Sequence, residues 1–235
     1  MQIDLTTGWK VQDFDEQGRS ILHTGVNGRP YVYVNIPKNA SSWLKDQIDG
    51  VLFNYINENV ADDATYIVAL RDPVDRWLAG AAQAFVGCSP EDLWFFLNLG
   101  FNAIFDHVVF DEHTAPQSTF LSEIDFKKVV WFKCDSNLET NWNHWAKDKI
   151  VPATMHTGRW DNLDNPYNVS SKGLVPGQFS SRKDSTKTVN GWTQHKIHTM
   201  LRKHLTACPE HLEQLKWYYR ECYELIESVQ FYQAN

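Results

Sequence analysis

The spacing of apolar and polar positions changes several times along the chain, and each change marks an element. Residues 20–36 read as a hairpin. Ile21-Leu22-His23 leads to the turn dipeptide Asn27-Gly28 and then to the β-branched and aromatic run Tyr31-Val32-Tyr33-Val34-Asn35-Ile36, which stops at Pro37. Leu44, Ile48, Val51, Leu52 and Ile56 recur at helical spacing and predict a helix capped by Ser41 or Ser42. Tyr66-Ile67-Val68-Ala69-Leu70 is too short for a helix and reads as a buried strand. It ends at Arg71-Asp72-Pro73, where Asp72 suits an N-cap and Pro73 a first helical position. The helix that follows carries Arg76, Trp77 and Phe85.

Further on, Asp92 to Phe110 reads as a mostly buried helix and Lys128-Val129-Val130-Trp131-Phe132 as another strand. Residues 151–190 are rich in Pro, Gly, Asn, Ser and Thr and read as a long irregular excursion, of the kind that forms lids or binding loops. Helical spacing returns at Trp192–Thr206 and Pro209–Gln230, where Leu212, Leu215, Tyr219, Cys222 and Ile226 form a core-packing stripe. Strand and helix in alternation, with short connections, imply an α/β fold built on a parallel sheet.

The length of 235 residues fits a single domain over 1–235, large enough to bury a core without staples. The net charge of −7 excludes non-specific coating of nucleic acid, so any polyanionic ligand must meet a local basic cluster. No apolar stretch reaches membrane-spanning length, and Met1 to Lys10 lacks the apolar core of a signal peptide. Cys88, Cys134, Cys208 and Cys222 are far apart and form no CxxC pair, which argues for reduced thiols rather than a disulfide framework. The expectation is a cytoplasmic protein with neither a membrane nor a nucleic-acid partner.

The candidate chemistry lies in two segments. In Asn35-Ile36-Pro37-Lys38-Asn39-Ala40-Ser41-Ser42-Trp43 a strand ends and a helix begins. Backbone N–H groups at such a junction form an anion site, small residues let a phosphate approach, and Lys38 adds a mobile positive charge. The Gly-rich loop of an ordinary ATP site, GxxxxGK[ST], is missing. In the second segment Arg71 stands at the tip of the adjacent strand, suited to bidentate phosphate binding, with Arg76 one helical turn beyond. For either arginine the alternative is a surface bridge to Asp72 or Asp75.

Together, IPKNASSW and RDPVDRW, one βαβ unit apart, resemble the sulfotransferases that use 3′-phosphoadenosine 5′-phosphosulfate. The first is similar to that family's 5′-phosphosulfate loop and the second to its 3′-phosphate motif. The DEHTAPQ segment, 111–117, resembles the His-x-x-Pro-Gln of the carbohydrate O-sulfotransferase branch, and KCDSNL, 133–138, its Glu-Asn-Leu segment. A C-terminal helix with Tyr218, Tyr219 and Tyr223 is compatible with the family's closing helix.

The resemblance implies a P-loop-NTPase-like three-layer fold, with a central parallel sheet flanked by helices. Residues 20–140 would form the donor-binding core, 151–190 a loop region and 191–235 the C-terminal helices. Lys38 would contact the bridge between phosphate and sulfate, the amides of Asn39, Ala40, Ser41, Ser42 and Trp43 would hold the 5′-phosphate, and Arg71 would bind the 3′-phosphate. Arg182 and Lys183, in the hydroxyl-rich run 180–185, match the family's late donor-covering loop in composition and position. The chain departs from the pattern at Ala79, where the family places a serine, which puts donor affinity in doubt.

Sulfuryl transfer to a hydroxyl also needs a base near neutral pKa. Of nine histidines, His113 is the choice, from its turn-like context in DEHTAPQ; His107, Asp111 and Glu112 are the alternatives. His195 and His198 have a metal-compatible spacing but no third ligand, so no metal is expected. The acceptor is expected to be a small molecule or glycan, with Trp160 as the candidate stacking face. Two other classes stand beside this reading, a nucleotide kinase and a non-catalytic glycan-binding protein on the same fold.

Overall fold

The computed structural model describes residues 20–53, 60–87, 108–109, 112–122, 124–152 and 193–234. Its centre is a five-stranded sheet in the order β3-β1-β2-β4-β5, formed by β1 (Ser20–Thr24), β2 (Pro30–Tyr33), β3 (Val51–Phe53), β4 (Thr65–Leu70) and β5 (Val129–Lys133). The sheet is mixed rather than wholly parallel. β2, β4 and β5 run parallel, whereas β1 is antiparallel to both β2 and β3. The β1–β2 hairpin is the one expected, and Gly28 supplies the positive φ of 74° that its turn requires.

Helix α1 (Ser41–Gln47) is shorter than its apolar spacing predicts, and Val51–Phe53 is a strand instead of a further helical turn. Ile48 is extended at φ −120°, ψ 116°, and Asp49-Gly50 carries the chain back to pair with β1. A side chain at Gly50 would collide with the Leu22 carbonyl, so this return needs a glycine. Neither serine caps α1. The N-cap is Ala40, in the left-handed region, with no side-chain bond to the helix. Asp72 does cap α2 (Pro73–Gly87), its Oδ1 accepting the Asp75 N–H at 2.9 Å.

Side chains alternate across the parallel strands, and both faces are covered. Tyr31, Tyr33, Ile67, Ala69 and Phe132 point to one face, against Leu44 and Ile48 of α1 and Trp142 and Trp145 of α3 (Leu138–Ala146). Val32, Val34, Val68, Leu70 and Trp131 point to the other, against a 3₁₀ turn at Gln117–Leu121 and Leu225 of the last helix. Trp131, Trp142 and Trp145 are thus core residues.

A third apolar cluster joins α2 to α4 (Gln194–Ala207) and α5 (Pro209–Tyr218), through Trp77, Ala81, Phe85, Leu201, Leu205 and Leu215. The C-terminal helix expected over 209–230 is broken at Tyr219, so α6 (Arg220–Ser228) is separate. Tyr219 is buried, and its hydroxyl donates to the Thr114 carbonyl. Beyond α6 the tail returns to the sheet. Phe231 bridges to Trp131 of β5, and the Tyr232 N–H donates to the Trp131 carbonyl at 2.8 Å. The helix expected over 92–110 lies outside the described residues apart from Val108 and Val109, which are buried, as do the excursion expected over 151–190, save its first two residues, and Trp160. No helix among the described residues is long and apolar enough to cross a membrane.

Candidate functional site

The C-terminal tips of β2 and β4 are neighbours, because Tyr33 pairs with Ile67 and the Val34 N–H continues the ladder to the Ile67 carbonyl at 3.0 Å. The loop after β2 therefore lies beside the loop after β4. Lys38 and Ala40 both adopt left-handed backbone, at φ 68° and 55°, and are the only non-glycine residues among those described to do so. Each costs on the order of 1 kcal/mol against an extended or right-handed residue. The strain buys a tight loop: the Asn39 N–H turns back onto the Ile36 carbonyl at 3.2 Å, and α1 makes its first bond from the Leu44 N–H to the Ala40 carbonyl at 3.0 Å. The donors of Ser41, Ser42 and Trp43 precede that first helical bond.

Buried polar side chains hold this loop in place. Asn39 Nδ2 donates to the Ala69 carbonyl at 2.8 Å and to Gln117 Oε1 at 2.5 Å. Gln117 in turn accepts the Arg71 N–H at 3.0 Å and donates to the Arg71 carbonyl at 2.8 Å. Arg76 is 1% exposed, buried inside the protein rather than lying on its surface. Its guanidinium donates to the carbonyls of Pro37 at 2.9 Å, Glu112 at 2.9 Å and Ala115. One fork thus ties the Lys38 loop to the DEHTAPQ segment, and Asp75 is left to pair with Arg202 of α4 at 2.6 Å.

This clamping brings Lys38, Arg71 and His113 into one region. Arg71 Nη1 donates to the Lys38 carbonyl at 3.2 Å. Lys38 Nζ donates to Gln83 Oε1, and Gln83 Nε2 stands 3.1 Å from His113 Nε2. On its other side, His113 Nδ1 is 3.4 Å from Glu112 Oε1. The donor inventory fixes the protons in this line. An ammonium only donates, so the Gln83 oxygen faces Lys38 and its amide NH₂ faces His113. His113 Nε2 is then the acceptor, and the ring proton sits on Nδ1, towards the Glu112 carboxylate. The result is an imidazole with its basic nitrogen directed to the same amide that the lysine touches.

Gln83 escaped the sequence reading, as did the role of Gln117. The available signal was spacing. Gln83 follows Arg76 by seven positions, two helical turns, and so shares its face of α2. Gly80 lies between them on that face, and a Cβ there would overlap the His113 carbonyl, so the glycine sets how closely the His113 segment approaches.

Arg71 has further neighbours. α4 brings His198 near it, and the positive charges of Arg202 and Arg71 add to burial in lowering the His198 pKa. Cys134, at the tip of β5, is pushed up to about 12 by burial against the pull of Arg71. That thiol stays neutral near pH 7 and does not cancel the guanidinium charge. Ala79, on α2, accepts a bond at its carbonyl from Gln194 of α4 at 3.3 Å. Trp43 packs edge-on to Trp142, with ring centroids 6.4 Å apart. Arg182, Lys183, His107 and Asp111 lie outside the described residues. No protein-family model, curated protein or solved structure matches the chain.

Proposed function

We propose that the protein is a sulfotransferase. It moves a sulfuryl group from 3′-phosphoadenosine 5′-phosphosulfate to a hydroxyl of a carbohydrate acceptor, on a frame of the P-loop-NTPase type and in a cytoplasmic setting. The observation that carries this reading is the hydrogen-bonded line Lys38–Gln83–His113, with Glu112 against the far side of His113 and Arg71 beside Lys38, at the tips of adjacent parallel strands. In parallel α/β sheets that edge is where ligands bind.

Each residue then has a task. The Lys38 ammonium and the amides of Ala40 to Trp43 neutralise the 5′-phosphate as the S–O bond to it breaks. Arg71 takes the 3′-phosphate, with Arg202 of α4 adding to the positive surroundings. The acceptor hydroxyl displaces the Gln83 amide from His113 Nε2, gives that nitrogen its proton, and forms the new O–S bond in line with the departing phosphate. Glu112 stabilises the imidazolium that results. Asn39 acts from inside, its side chain and its N–H both committed to holding the loop.

The test combines binding and turnover. 3′-Phosphoadenosine 5′-phosphate should raise the melting temperature of the wild-type protein and ATP should not, since only a ligand of the folded state stabilises it. With radiolabelled donor, Lys38→Ala should lose roughly 10²–10³-fold in transfer rate, the range for losing one preorganised donor to a developing charge. His113→Asn should lose about 10²–10⁴-fold. Full activity in either variant overturns the mechanism. Stabilisation by ATP alone favours a kinase, and glycan binding without donor binding favours a non-catalytic module.

A further inference from the structure

The elbow between α4 and α5 gathers a different set of chemical groups. His204 lies in the last turn of α4, Cys208 between the two helices, and His211 in the first turn of α5. The bend follows from the sequence, because Pro209 opens α5 and the residue before a proline is driven from helical backbone. Cys208 accordingly sits at φ −126°, ψ 80°. Its N–H still reaches the His204 carbonyl at 2.8 Å, and the His211 N–H reaches the Cys208 carbonyl at 3.1 Å. Two turns of chain are thereby folded about a single residue.

The three side chains meet there. His204 Nε2 and His211 Nδ1 are 2.7 Å apart, with the rings stacked at a centroid distance of 5.0 Å. Cys208 Sγ lies 3.9 Å from His204 Nδ1. One ligand atom from each residue falls within 4.8 Å of the other two, and all three residues are half-buried. We propose that this elbow binds a zinc-class divalent transition-metal ion through His204, Cys208 and His211.

Two imidazoles and a thiolate are borderline-to-soft ligands. They suit zinc or cobalt, whereas magnesium and calcium demand oxygen. A tetrahedral zinc with ordinary bond lengths separates its N and S ligands by about 3.3–3.6 Å. Shifts of roughly an ångström at the side-chain tips therefore turn the present cluster into a coordination shell. Burial and the neighbouring His211 lower the His204 pKa, which favours the neutral imidazole that metals require. On binding, the thiol proton is released to solvent as the S–metal bond forms. The proton between the two rings moves to the outer nitrogen of its own ring. Water completes the shell, or Glu210, whose charge already acts on His204.

His195 and His198, on the same helix, find no third ligand among the described residues. The trio lies further along and spans the helix break, a spacing of His-x₃-Cys-x₂-His. The ion would clip α4 to α5, and α4 is the helix that carries His198 and Arg202 towards Arg71.

Cobalt(II) titration of the chelator-treated full chain tests this, with the metal alone as probe. The expected result is one ion per chain, the intense visible bands of tetrahedral cobalt, a thiolate-to-cobalt charge-transfer band, and displacement of both by zinc. Cys208→Ser should abolish the charge-transfer band. His211→Gln should weaken binding at least ~10-fold, the least that losing even an outer-shell partner costs. Cys134→Ser should change neither. A pale octahedral spectrum without charge transfer in the wild type overturns the proposal, and that measurement needs no variant to fold. Persistence of the band in folded Cys208→Ser, or unaltered affinity in folded His211→Gln, does the same.

Discussion

The strand-tip site and the α4–α5 elbow are assembled in opposite ways. Lys38, Arg71, Gln83 and His113 come from separate loops and helices spread over more than seventy positions, and they meet because buried side chains grip backbone carbonyls across those distances. The elbow trio comes from eight consecutive residues and needs only two short backbone turns. The strand-tip site also holds two left-handed non-glycine residues, and the elbow holds none. A long-range site depends on its clamps, and a local one depends on its chain path. Damage to a clamp should therefore disable the first and spare the second.

Arg76 gives the largest separation. Arg76→Met keeps the apolar stem but removes the donors to three carbonyls, so it should cost about 3–5 kcal/mol in denaturant unfolding. Donor binding should fall with it while cobalt affinity at the elbow holds. An equal loss at both places would erase the contrast. Arg76→Lys should rescue little, because an ammonium lacks the planar fork.

Gly80→Ala is the next step down. Alanine is the better helix former by about 1 kcal/mol, but its methyl would push against the His113 carbonyl. The net expectation is destabilisation of about 1–3 kcal/mol, typical of overpacking, with a fall in transfer rate as His113 leaves Gln83. A neutral or stabilising result would mean that the His113 segment yields freely.

The smallest effect has the opposite sign. Ala40→Gly should stabilise the fold by up to about 1 kcal/mol, because glycine accepts φ 55° without the Cβ penalty. Unfolding midpoints measure it directly, and a lower midpoint would show that the left-handed backbone at this position is not strained.

Much of the frame was legible in the chain because it rests on local signals. The Asn27-Gly28 turn, the Asp72-Pro73 helix start and the aromatic β5 run each appear where their residues predict. α1 misled because Val51 and Leu52 satisfy a helical period equally well, and only pairing with β1 decides for a strand. Position also marked Lys38 and Arg71, since strand tips are readable. Gln83 and Gln117 were not readable as partners. An amide becomes a bridge only when tertiary packing sets two groups on either side of it, and no periodicity encodes that. The clamping role of Arg76 was hidden for the same reason, since its acceptors at Pro37, Glu112 and Ala115 are carbonyls, which every residue has.

The return of the tail to β5 bears on how the molecule keeps company with its own copies. A β-sheet margin with bare amides and carbonyls invites another chain to add a strand. Among the described residues, β3 forms one margin with three residues, and on the other Phe231 and Tyr232 already engage Trp131. Removing Phe231 and Tyr232 would uncover a template at β5, and self-association would be the first symptom.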